Sequence, residues 1–315
     1  MKNEAALQNV AEKLVEYASE GTTFKTDKIT TVPYAAYTDK DIWQKEVDNI
    51  FKKLPLCLAT TAELKEINSY KAMEAIGLPI LMTRGKDGKV RAFLNVCAHR
   101  GAPVANNGCG QKSRFTCKYH GWTYTNTGAL MGVSEQKTFG EIKKESRGLR
   151  ELPCEEKAGL IFVILTPGEH MELNDFMAGM LEDLEKANFK DWAYLGKREI
   201  EGANWKIAFD GYLEGYHFSQ LHPETIHPRT ISNLTHYEAF GPHMRIGFAQ
   251  TEIKEKLESQ PKESWGKMEN NGFDFVRILF PNVSIFLAPE ITQIAQLFPG
   301  ETPDKNKTIL NFYRK

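Results

Sequence analysis

The chain has few cysteines, no long apolar run and no excess of charge of either sign. Its five cysteines are an odd and sparse set in 315 residues, which argues against a disulfide framework and favours buried thiols or metal ligands. The net charge is −1, so composition gives no indication of nucleic-acid binding. No stretch is long and apolar enough to span a bilayer, and the N-terminus lacks the apolar core of a secretory signal. We therefore expect a cytoplasmic protein with neither a membrane nor a nucleic-acid partner.

The first fifty residues predict two helices. Apolar residues recur at helical spacing over residues 4–18, and Gly21 is expected to end that helix. A second amphipathic helix is predicted to begin near Thr38, because Thr38 and Asp41 have the spacing of a capping box.

From about residue 56 to 166 the pattern changes to short runs typical of strands. Two of these runs flank Gly85-Lys86-Asp87-Gly88, which predicts a hairpin. Helical spacing returns over residues 173–190 and 201–222. The segments expected to form antiparallel strands after that are FDFVRILF, VSIFLA, TQIAQLFP and KTILNFYRK. The sequence therefore predicts an α+β fold in which a small all-β unit is inserted between helical regions.

Four possible metal ligands, Cys97, His99, Cys117 and His120, lie in the segment NVCAHRGAPVANNGCGQKSRFTCKYHGW. They form a C-x-H pair and a C-x-x-H pair separated by seventeen residues. A zinc finger groups its two cysteines in one pair and its two histidines in the other, whereas each pair here contains one of each. Two thiolates on one iron and two imidazoles on the other is the ligation of a Rieske [2Fe–2S] cluster, which this pattern predicts.

The neighbours of these ligands indicate which kind of Rieske centre is present. Ala102 and Tyr119 occupy the places where respiratory-chain Rieske proteins have two further cysteines, which form a disulfide. Trp122 stands where that class has a serine that donates to the cluster. Fewer donors to the sulfur atoms stabilise the reduced state less, so we expect a lower reduction potential.

A second metal site is indicated by the stretch ANWKIAFDGYLEGYHFSQLHPE. If the stretch is one helix, Glu214 and His217 are three residues apart and share a face of it. His222 follows just before Pro223, which is expected to end the helix, so that its side chain can turn back toward His217. Two histidines and a nearby carboxylate are typical of a mononuclear non-haem iron site. Without the cluster motif, one core histidine and one capping histidine would be the simpler interpretation.

Both motifs together resemble the catalytic α subunit of Rieske non-haem iron oxygenases, the ring-hydroxylating dioxygenase family. The resemblance covers nearly the whole chain. Its segments are Tyr37-Thr38-Asp39, CAHRGAPV, CKYHGW, NWKIAFDGYLEGYH and QLFPGETP.

The resemblance implies roles for individual residues. His217 and His222 would be the histidine ligands of the mononuclear Fe(II), and Glu214 would be the acid that links this iron site to His120 of a neighbouring subunit. The cofactors would be a [2Fe–2S] cluster and Fe(II). The partners would be O₂, a small organic substrate, an electron-donating reductase or ferredoxin, and further copies of the chain in a trimer.

One feature of the family has no counterpart in this sequence. The family completes its iron site with an acid on a long C-terminal helix, and this chain ends before such a helix. Asp304 is the only acid near the end with some freedom to move, but the residues around it predict a turn. This difference motivates the hypothesis that the chain carries electrons without a working mononuclear iron.

Several other residues near the two motifs have side chains that could contribute to a site. Asp210 lies one helical turn before Glu214 and either supports the ligands or is solvated. Aromatic residues near the motif are expected in the core rather than in a substrate pocket. Histidines that could line such a pocket, but are more typical of surface or satisfied core positions, are His227, His236 and His243. Cysteines outside the ligand pattern are Cys109, expected in a loop, and Cys57 and Cys154, expected in the core.

The sequence thus predicts three regions and one reaction class. Residues 1–55 and 167–315 are expected to form a helix-grip catalytic domain of antiparallel sheet and helices, into which a Rieske domain is inserted at 56–166. The predicted function is hydroxylation of an organic, in first place aromatic, substrate with O₂ and electrons from a reductase. The alternative within the same superfamily is a demethylating monooxygenase.

Overall fold

The computed structural model describes residues 2–268, 271–288 and 290–315, and every strand pair in it is antiparallel. The α-helices are α1 (Lys2–Glu20), α2 (Ala35–Thr38), α3 (Lys40–Glu46), α4 (Leu173–Met177), α5 (Met180–Glu185), α6 (Trp205–Asp210), α7 (Phe218–Leu221) and α8 (Ile253–Glu258). A π-helical turn covers Val47–Phe51, and 3₁₀ turns cover Gln136–Thr138, Lys144–Ser146, Phe189–Asp191 and Lys262–Lys267.

The strands fall into two groups along the chain. The first group is β1 (Leu56–Thr60), β2 (Ser69–Ala75), β3 (Leu78–Arg84), β4 (Val90–Leu94), β5 (Gly108–Gln111), β6 (Arg114–Thr116), β7 (Thr123–Thr125), β8 (Leu130–Gly132), β9 (Glu151–Leu152), β10 (Cys154–Lys157) and β11 (Leu160–Val163). The second group is β12 (Ala193–Gly202), β13 (Thr230–Phe240), β14 (His243–Gln250), β15 (Phe273–Leu279), β16 (Val283–Phe286), β17 (Ile291–Pro299) and β18 (Asn306–Arg314). The predicted α+β class is confirmed.

Helix α1 confirms the first predicted helix. Its buried stripe, Val10, Ala11 and Leu14, packs against residues of β13, β14 and α8 because apolar side chains three and four apart share one face. Gly21 ends the helix with φ +63°, a conformation that glycine adopts without steric cost. The N-terminal helix therefore packs on the second group of strands.

The second predicted helix is present, but its cap is not the predicted one. The Asp39 carboxylate accepts hydrogen bonds from the backbone N–H groups of Asp41 and Ile42, at 2.8 and 3.0 Å. Thr38 is instead the last residue of α2, and its hydroxyl donates back to the Tyr34 carbonyl. A carboxylate caps a helix start better than a distant hydroxyl, because it also complements the helix dipole.

The first group of strands forms three small sheets. Their strand orders are β5-β2-β3-β4-β9, β6-β7-β8 and β1-β11-β10. The hairpin predicted at Gly85-Lys86-Asp87-Gly88 is confirmed, since Arg84 pairs with Val90 across it. The β4–β5 and β6–β7 connections carry the two ligand pairs, so both pairs lie at one end of this unit.

The second group forms one seven-stranded sheet in the order β12-β18-β17-β16-β15-β14-β13. The four strands predicted near the end of the chain are confirmed as β15 to β18. Strand β1 and its neighbour β11 share a buried core with this sheet, through residues such as Leu58, Ile161 and Ile246. Among the described residues, no helix combines the length and apolar character that crossing a bilayer requires.

Two predicted helices are interrupted. The one over 173–190 is broken at Ala178 and Gly179, which have φ of 45° and 91° and so cannot continue a right-handed helix. The one predicted over 201–222 is wrong as a single element. Its first residues extend β12, Asn204 caps α6, and a turn separates α6 from α7. Residues up to Gly202 pair with β18, and the Asn204 side chain caps a new helix start. These interactions prevailed over the helical spacing of the apolar residues, because tertiary contacts override a weak local preference.

Candidate metal centres

Two loops of matching shape carry the four predicted cluster ligands. In the first, the Gly101 N–H donates to the Cys97 carbonyl at 3.0 Å and the Cys97 N–H donates to the Ala102 carbonyl at 2.9 Å. The loop over residues 117–122 repeats both bonds at 2.9 and 2.8 Å. The glycines, Gly101 and Gly121, have φ of 76° and 69°, which favours glycine at these two positions. The backbone turns alone therefore set where each ligand pair points.

The side chains of the two pairs converge at one buried place. Cys97 and Cys117 are each only 2% exposed, and the ring centroids of His99 and His120 are 4.7 Å apart. The Nδ1 atoms of both histidines are buried and have no hydrogen-bond partner in the described structure. Buried polar atoms are almost always satisfied, so two adjacent unsatisfied nitrogens beside two thiols fit a metal group that binds all four.

Among the described residues, no group of three or more His, Cys, Asp or Glu side chains is arranged to hold a metal ion. The two loops each offer one cysteine and one histidine, and two cysteines with two histidines are the protein ligands of a Rieske [2Fe–2S] cluster.

Aromatic side chains cover the two histidines in different ways. The Trp122 indole stacks on the His99 ring, with centroids 5.0 Å apart and planes 8° from parallel. Phe139 meets the same histidine edge-on at 5.7 Å. On the other side Tyr119, which is 59% exposed, lies 3.8 Å from the His120 ring centroid. The two imidazoles are therefore covered by different aromatic side chains, His99 by Trp122 and Phe139, and His120 by Tyr119.

Tyr124 is a contact to the cluster loops that sequence reasoning missed. Its hydroxyl oxygen lies 3.2 Å from Cys97 Sγ and accepts the Ala98 N–H at 2.9 Å. Since the oxygen already accepts a hydrogen bond, its own hydrogen is available for the sulfur. Burial, followed by the bond to Cys97, holds the pKa of Tyr124 above its usual range, so the phenol stays protonated. The C-x-x-H-x-x-x-Y spacing after Cys117 is a signal that could have identified it.

The predicted iron ligands lie on either side of α7. His217 precedes that helix and His222 follows it, with ring centroids 5.3 Å apart. The Glu214 carboxylate hydrogen-bonds the Nδ1 atom of His217 and accepts the backbone N–H groups of Tyr216 and His217. Glu214 and His217 are therefore brought together by a capping turn and not, as predicted, by a shared helix face.

Glu214 sets the orientation of one imidazole. With Nδ1 of His217 engaged by the carboxylate, Nε2 is the nitrogen left to bind a metal. A carboxylate behind a ligating histidine also raises the basicity of that ligand. The pair thus has the arrangement expected of a metal ligand and its supporting acid.

The turn that carries Glu214 is held in place by strand β13. The Tyr237 hydroxyl donates to the Leu213 carbonyl at 2.7 Å, and the Asn233 N–H donates to the Gly215 carbonyl at 3.1 Å. A Cβ atom at Gly215 would come within 3.1 Å of Phe218 and 3.2 Å of Phe248. Close packing against two aromatic rings therefore requires a small residue at this position.

The two further acidic side chains near the motif and the C-terminus, Asp210 and Asp304, lie in other contacts. Asp210 receives a hydrogen bond from the Tyr37 hydroxyl at 3.3 Å, and burial raises the pKa of its carboxyl group. Asp304 lies in the predicted turn, where the neighbouring Thr302 side chain lowers the pKa of its carboxyl group. In the part of the chain that the structure describes, neither carboxylate forms a hydrogen bond with His217 or His222.

The three histidines that the sequence offered for a substrate pocket are His227, His236 and His243. His243 is fully buried and bonded on both nitrogens, to the Phe176 carbonyl and the Phe280 N–H. His236 packs against the rings of Tyr17 in α1 and of Phe24. His227 is exposed, and its Nδ1 atom forms a hydrogen bond with the Ser232 hydroxyl. His227 and His243 thus fit the simpler interpretation of a surface and a satisfied core histidine, whereas the buried Nδ1 atom of His236 has no hydrogen-bond partner in the described structure.

The cysteines outside the ligand pattern are partly as expected. Cys57 is buried, and burial raises the pKa of the Cys57 and Cys154 thiols to about 12. Cys109 was expected in a loop, but it lies on the edge strand β5, which pairs with β2. Pairing of its backbone with β2 explains the difference, because a short glycine-flanked strand has little side-chain pattern to detect.

Comparison with known proteins assigns the two halves of the chain. Residues 55–152 match the Rieske [2Fe-2S] domain, and residues 189–315 match the catalytic domain of the ring hydroxylating alpha subunit. The carnitine monooxygenase oxygenase subunit of Acinetobacter baumannii is 31% identical over 243 residues, which is 76% of this chain and 65% of that protein. The anthranilate 1,2-dioxygenase large subunit of Burkholderia cepacia is 30% identical over 209 residues, which is 63% of this chain and 49% of that protein.

A solved structure agrees with these relatives. The crystal structure of a quaternary ammonium Rieske monooxygenase superposes with a TM-score of 0.77 at 25% identity, over 90% of this chain and 75% of that one. The chain spans less than two thirds of the length of the two relatives named above. Its two loops of buried ligands, its antiparallel sheet and both family matches lead to one conclusion. The chain belongs to the family of Rieske non-haem iron oxygenase alpha subunits.

Proposed function

We propose that this protein is the oxygenase component of a system that hydroxylates a small organic molecule with O₂ and electrons from a separate donor protein. The observation that carries the proposal is the Glu214–His217 hydrogen bond beside His222, in a chain that also holds the cluster loops. A carboxylate that orients one of two adjacent imidazoles is a device for holding a metal rather than for packing.

The proposed ligands are divided between the two centres. Cys97, Cys117, His99 and His120 hold the [2Fe–2S] cluster, and His217 and His222 hold the mononuclear iron. When bound, the cluster supplies single electrons and the mononuclear iron supplies open positions for O₂. The protein contributes ligand orientation through Glu214 and the Gly215 turn, and it shields His99 from water with Trp122.

Glu214 is also proposed to connect two copies of the chain. Its side chain is 37% exposed, so a carboxylate already bonded to His217 can reach an imidazole from outside the chain. By family resemblance that imidazole is His120 of a second copy in a trimer. The exposed Tyr119 beside His120 agrees with this part of the surface being covered in an assembly.

The substrate class that the relatives favour is a small quaternary ammonium compound. Carnitine and glycine betaine are named for several of the relatives, at 28–32% identity. Hydroxylation of a carbon bound to nitrogen consumes O₂, two electrons and two protons, and releases an amine, an aldehyde and water. The prediction of a demethylating monooxygenase therefore takes precedence over that of an aromatic dioxygenase.

Iron and sulfide analysis tests the proposal directly. Three irons and two acid-labile sulfides per chain are expected after anaerobic reconstitution, because each centre contributes its own iron. Two irons and two sulfides would contradict an oxygenase and favour the electron-carrying alternative.

Product analysis separates the two substrate classes. With carnitine or glycine betaine we expect an aldehyde and a shortened amine, formed in proportion to the electrons supplied. Aromatic ring hydroxylation is the second candidate, because the anthranilate dioxygenase large subunit is 30% identical over its aligned part. A cis-diol from an aromatic acid, with no turnover of either quaternary amine, would establish that candidate instead.

A further inference from the structure

We propose that Glu63 is a positioning residue, which fixes the orientation of the Rieske domain on the seven-stranded catalytic sheet through the contacts of its buried carboxylate with Lys71 and Tyr313. The inference rests on the proposed function, because this orientation matters only if the cluster must pass electrons to an iron site. It goes beyond that function by naming residues outside both metal centres on which the placement of the cluster depends.

The domain that carries the cluster is joined to the rest of the chain by a small sheet. The chain enters the first group of strands through β1 and leaves it through β11, and these two strands pair with each other. Their three-stranded sheet, β1-β11-β10, is named the neck. Because both chain crossings lie side by side, a small rotation at the neck would move the cluster loops relative to the catalytic sheet.

Apolar packing holds this junction together without fixing its direction. One core contains residues of the neck, of the Rieske sheet β5-β2-β3-β4-β9 and of the catalytic sheet, such as Leu58, Met73 and Leu297. The free energy gained by burying such side chains depends on area and has no direction, so it permits small displacements. Hydrogen bonds, which require defined donor and acceptor positions, select one orientation among them.

The two domains do not touch each other throughout the junction. A cavity of about 260 Å³ is lined by Lys71 and Cys109 of the Rieske sheet, by Tyr194 and Asn311 of the catalytic sheet, and by Glu63 of the loop after β1. Where protein atoms do not touch, dispersion contacts cannot oppose a displacement of one domain toward the other. Polar contacts beside this cavity therefore contribute more to the orientation than they would in a close-packed junction.

The Glu63 carboxylate joins three elements at this place. One of its oxygens lies 2.6 Å from Lys71 Nζ on β2. The other accepts the Tyr313 hydroxyl of β18 at 3.0 Å and the Thr60 N–H of β1 at 2.9 Å. Lys71 also donates to the Leu58 carbonyl of β1 at 2.9 Å. One carboxylate therefore connects the Rieske sheet, the neck and the catalytic sheet.

Burial makes these contacts unfavourable to break. The side chains of Glu63 and Lys71 are 2% and 10% exposed, so neither charge can readily exchange its partner for water. Loss of one partner leaves the other charge buried and uncompensated. Burial, followed by the Glu63 carboxylate, raises the pKa of Tyr313 well above its usual value, so its hydroxyl stays a donor. The contacts are therefore satisfied only when all three elements are in place.

Pulsed electron paramagnetic resonance on the reduced holoprotein tests the inference without turnover. The measured distance joins the reduced cluster to a nitroxide on Glu255→Cys in α8, a helix that packs on the catalytic sheet. Cys109, which is exposed, is replaced by serine in all samples so that it takes up no label. We expect a narrow distance distribution in this parent and a broader or displaced one in Tyr313→Phe, which leaves the ion pair intact.

A second variant tests whether the two contacts act through one carboxylate. Lys71→Met removes the bond to the Rieske sheet and is expected to broaden the same distribution. The double variant Lys71→Met/Tyr313→Phe should be no broader than the broader single variant, whereas two independent effects would add. Tyr194→Phe is the matched control and should keep the parental distribution. Its ring lies 5.3 Å from that of Tyr313, but within the described ranges its hydroxyl makes no hydrogen bond.

Electron transfer provides the functional readout. A flash of light on a ruthenium photoreductant with a sacrificial amine donor places one electron on the oxidised cluster. Decay of the reduced-cluster absorption then follows the passage of this electron to mononuclear Fe(III), which becomes Fe(II). A misplacement on the order of 1 Å can lower a rate by about 100-fold, and for Tyr313→Phe we expect decay about tenfold slower. Tyr194→Phe should decay at the parental rate.

Thermal unfolding separates a positioning role from a merely structural one. A lower melting temperature in Tyr313→Phe with an unchanged decay rate would overturn the proposal, whatever the distance distribution. If the parent contains three irons but Tyr313→Phe matches it in distribution and decay, positioning fails and the oxygenase proposal stands. A parent with two irons would contradict the proposed function, and the distance distributions alone would then decide whether Glu63 orients the domain.

Discussion

The two candidate metal centres are built in different ways. At the cluster site, backbone bonds within two similar loops place every ligand, and both cysteines are 2% exposed. At the iron site, two histidines flank a four-residue helix, and one of them is oriented by a carboxylate that is 37% exposed. All four candidate ligands of the first site lie on backbone-bonded loops of one chain, whereas the second site depends on a side-chain contact at the surface. We therefore expect substitutions around the iron site to leave the cluster bound. Substitutions around the cluster are expected to disturb the iron site more.

The largest effect is expected from removing a cluster ligand. Cys117→Ser replaces a thiolate with a poor iron ligand in a fully enclosed position, so the [2Fe–2S] absorption and electron paramagnetic resonance signals should disappear. Sulfide content should fall to near zero in the same sample. Cys109→Ser, which changes a thiol on the exposed edge strand, is the control and should keep both signals. Retention of the cluster in the first variant would show that the ligand assignment is incorrect.

Removing an iron-site histidine should separate the two centres. In His222→Ala we expect iron to fall from three to two per chain with sulfide unchanged, because the cluster loops do not contact α7 in the described structure. His227→Ala, five residues further along on an exposed histidine, should keep all three irons. Loss of iron in both variants would contradict the proposed ligand and point to general disruption of this segment.

A smaller effect is expected when only the supporting acid is changed. Glu214→Gln keeps the shape of the side chain but removes the charge behind His217, so mononuclear iron should bind about 10–100-fold more weakly with the cluster intact. Titration of the iron-depleted protein with Fe(II) measures this affinity. Glu224→Gln provides an exposed control on the same segment, and an equal effect there would exclude a specific role for Glu214.

The smallest effect is expected at the newly found donor to the cluster. Tyr124→Phe removes the hydroxyl 3.2 Å from Cys97 Sγ, which stabilises the more negative, reduced cluster. A hydrogen bond that favours the reduced state by about 1 kcal/mol corresponds to a decrease of roughly 40 mV in midpoint potential. Tyr119→Phe, whose ring packs on His120 from an exposed position, should leave the potential within about 10 mV of the parent in a spectroelectrochemical titration. A larger change at Tyr119 than at Tyr124 would contradict the assignment of the donor.

How well the sequence predicted each part depended on whether the chemistry was local. The hairpin at Gly85–Gly88 and the strands β15 to β18 were predicted because turn residues and alternation are local signals. Strands β12, β13 and β14 were missed, and a helix was predicted over part of the first. Strand β12 pairs with β18 at the far end of the chain, and pairing between distant segments leaves little trace in one stretch of sequence. Strands β13 and β14 instead pair with each other across Gly241-Pro242, a local turn signal that sequence reasoning missed.

The Rieske motif itself was determined by sequence. Short turns with glycines at Gly101 and Gly121 fix where the cysteine and the histidine of each pair point. The number of residues between two ligands in the sequence therefore determines their relative position in space. Tertiary structure alone brought Tyr124 to Cys97 and placed Glu214 in a capping turn instead of on a helix. These depend on which loops and strands come to lie side by side, and that is decided by packing between segments distant in the sequence.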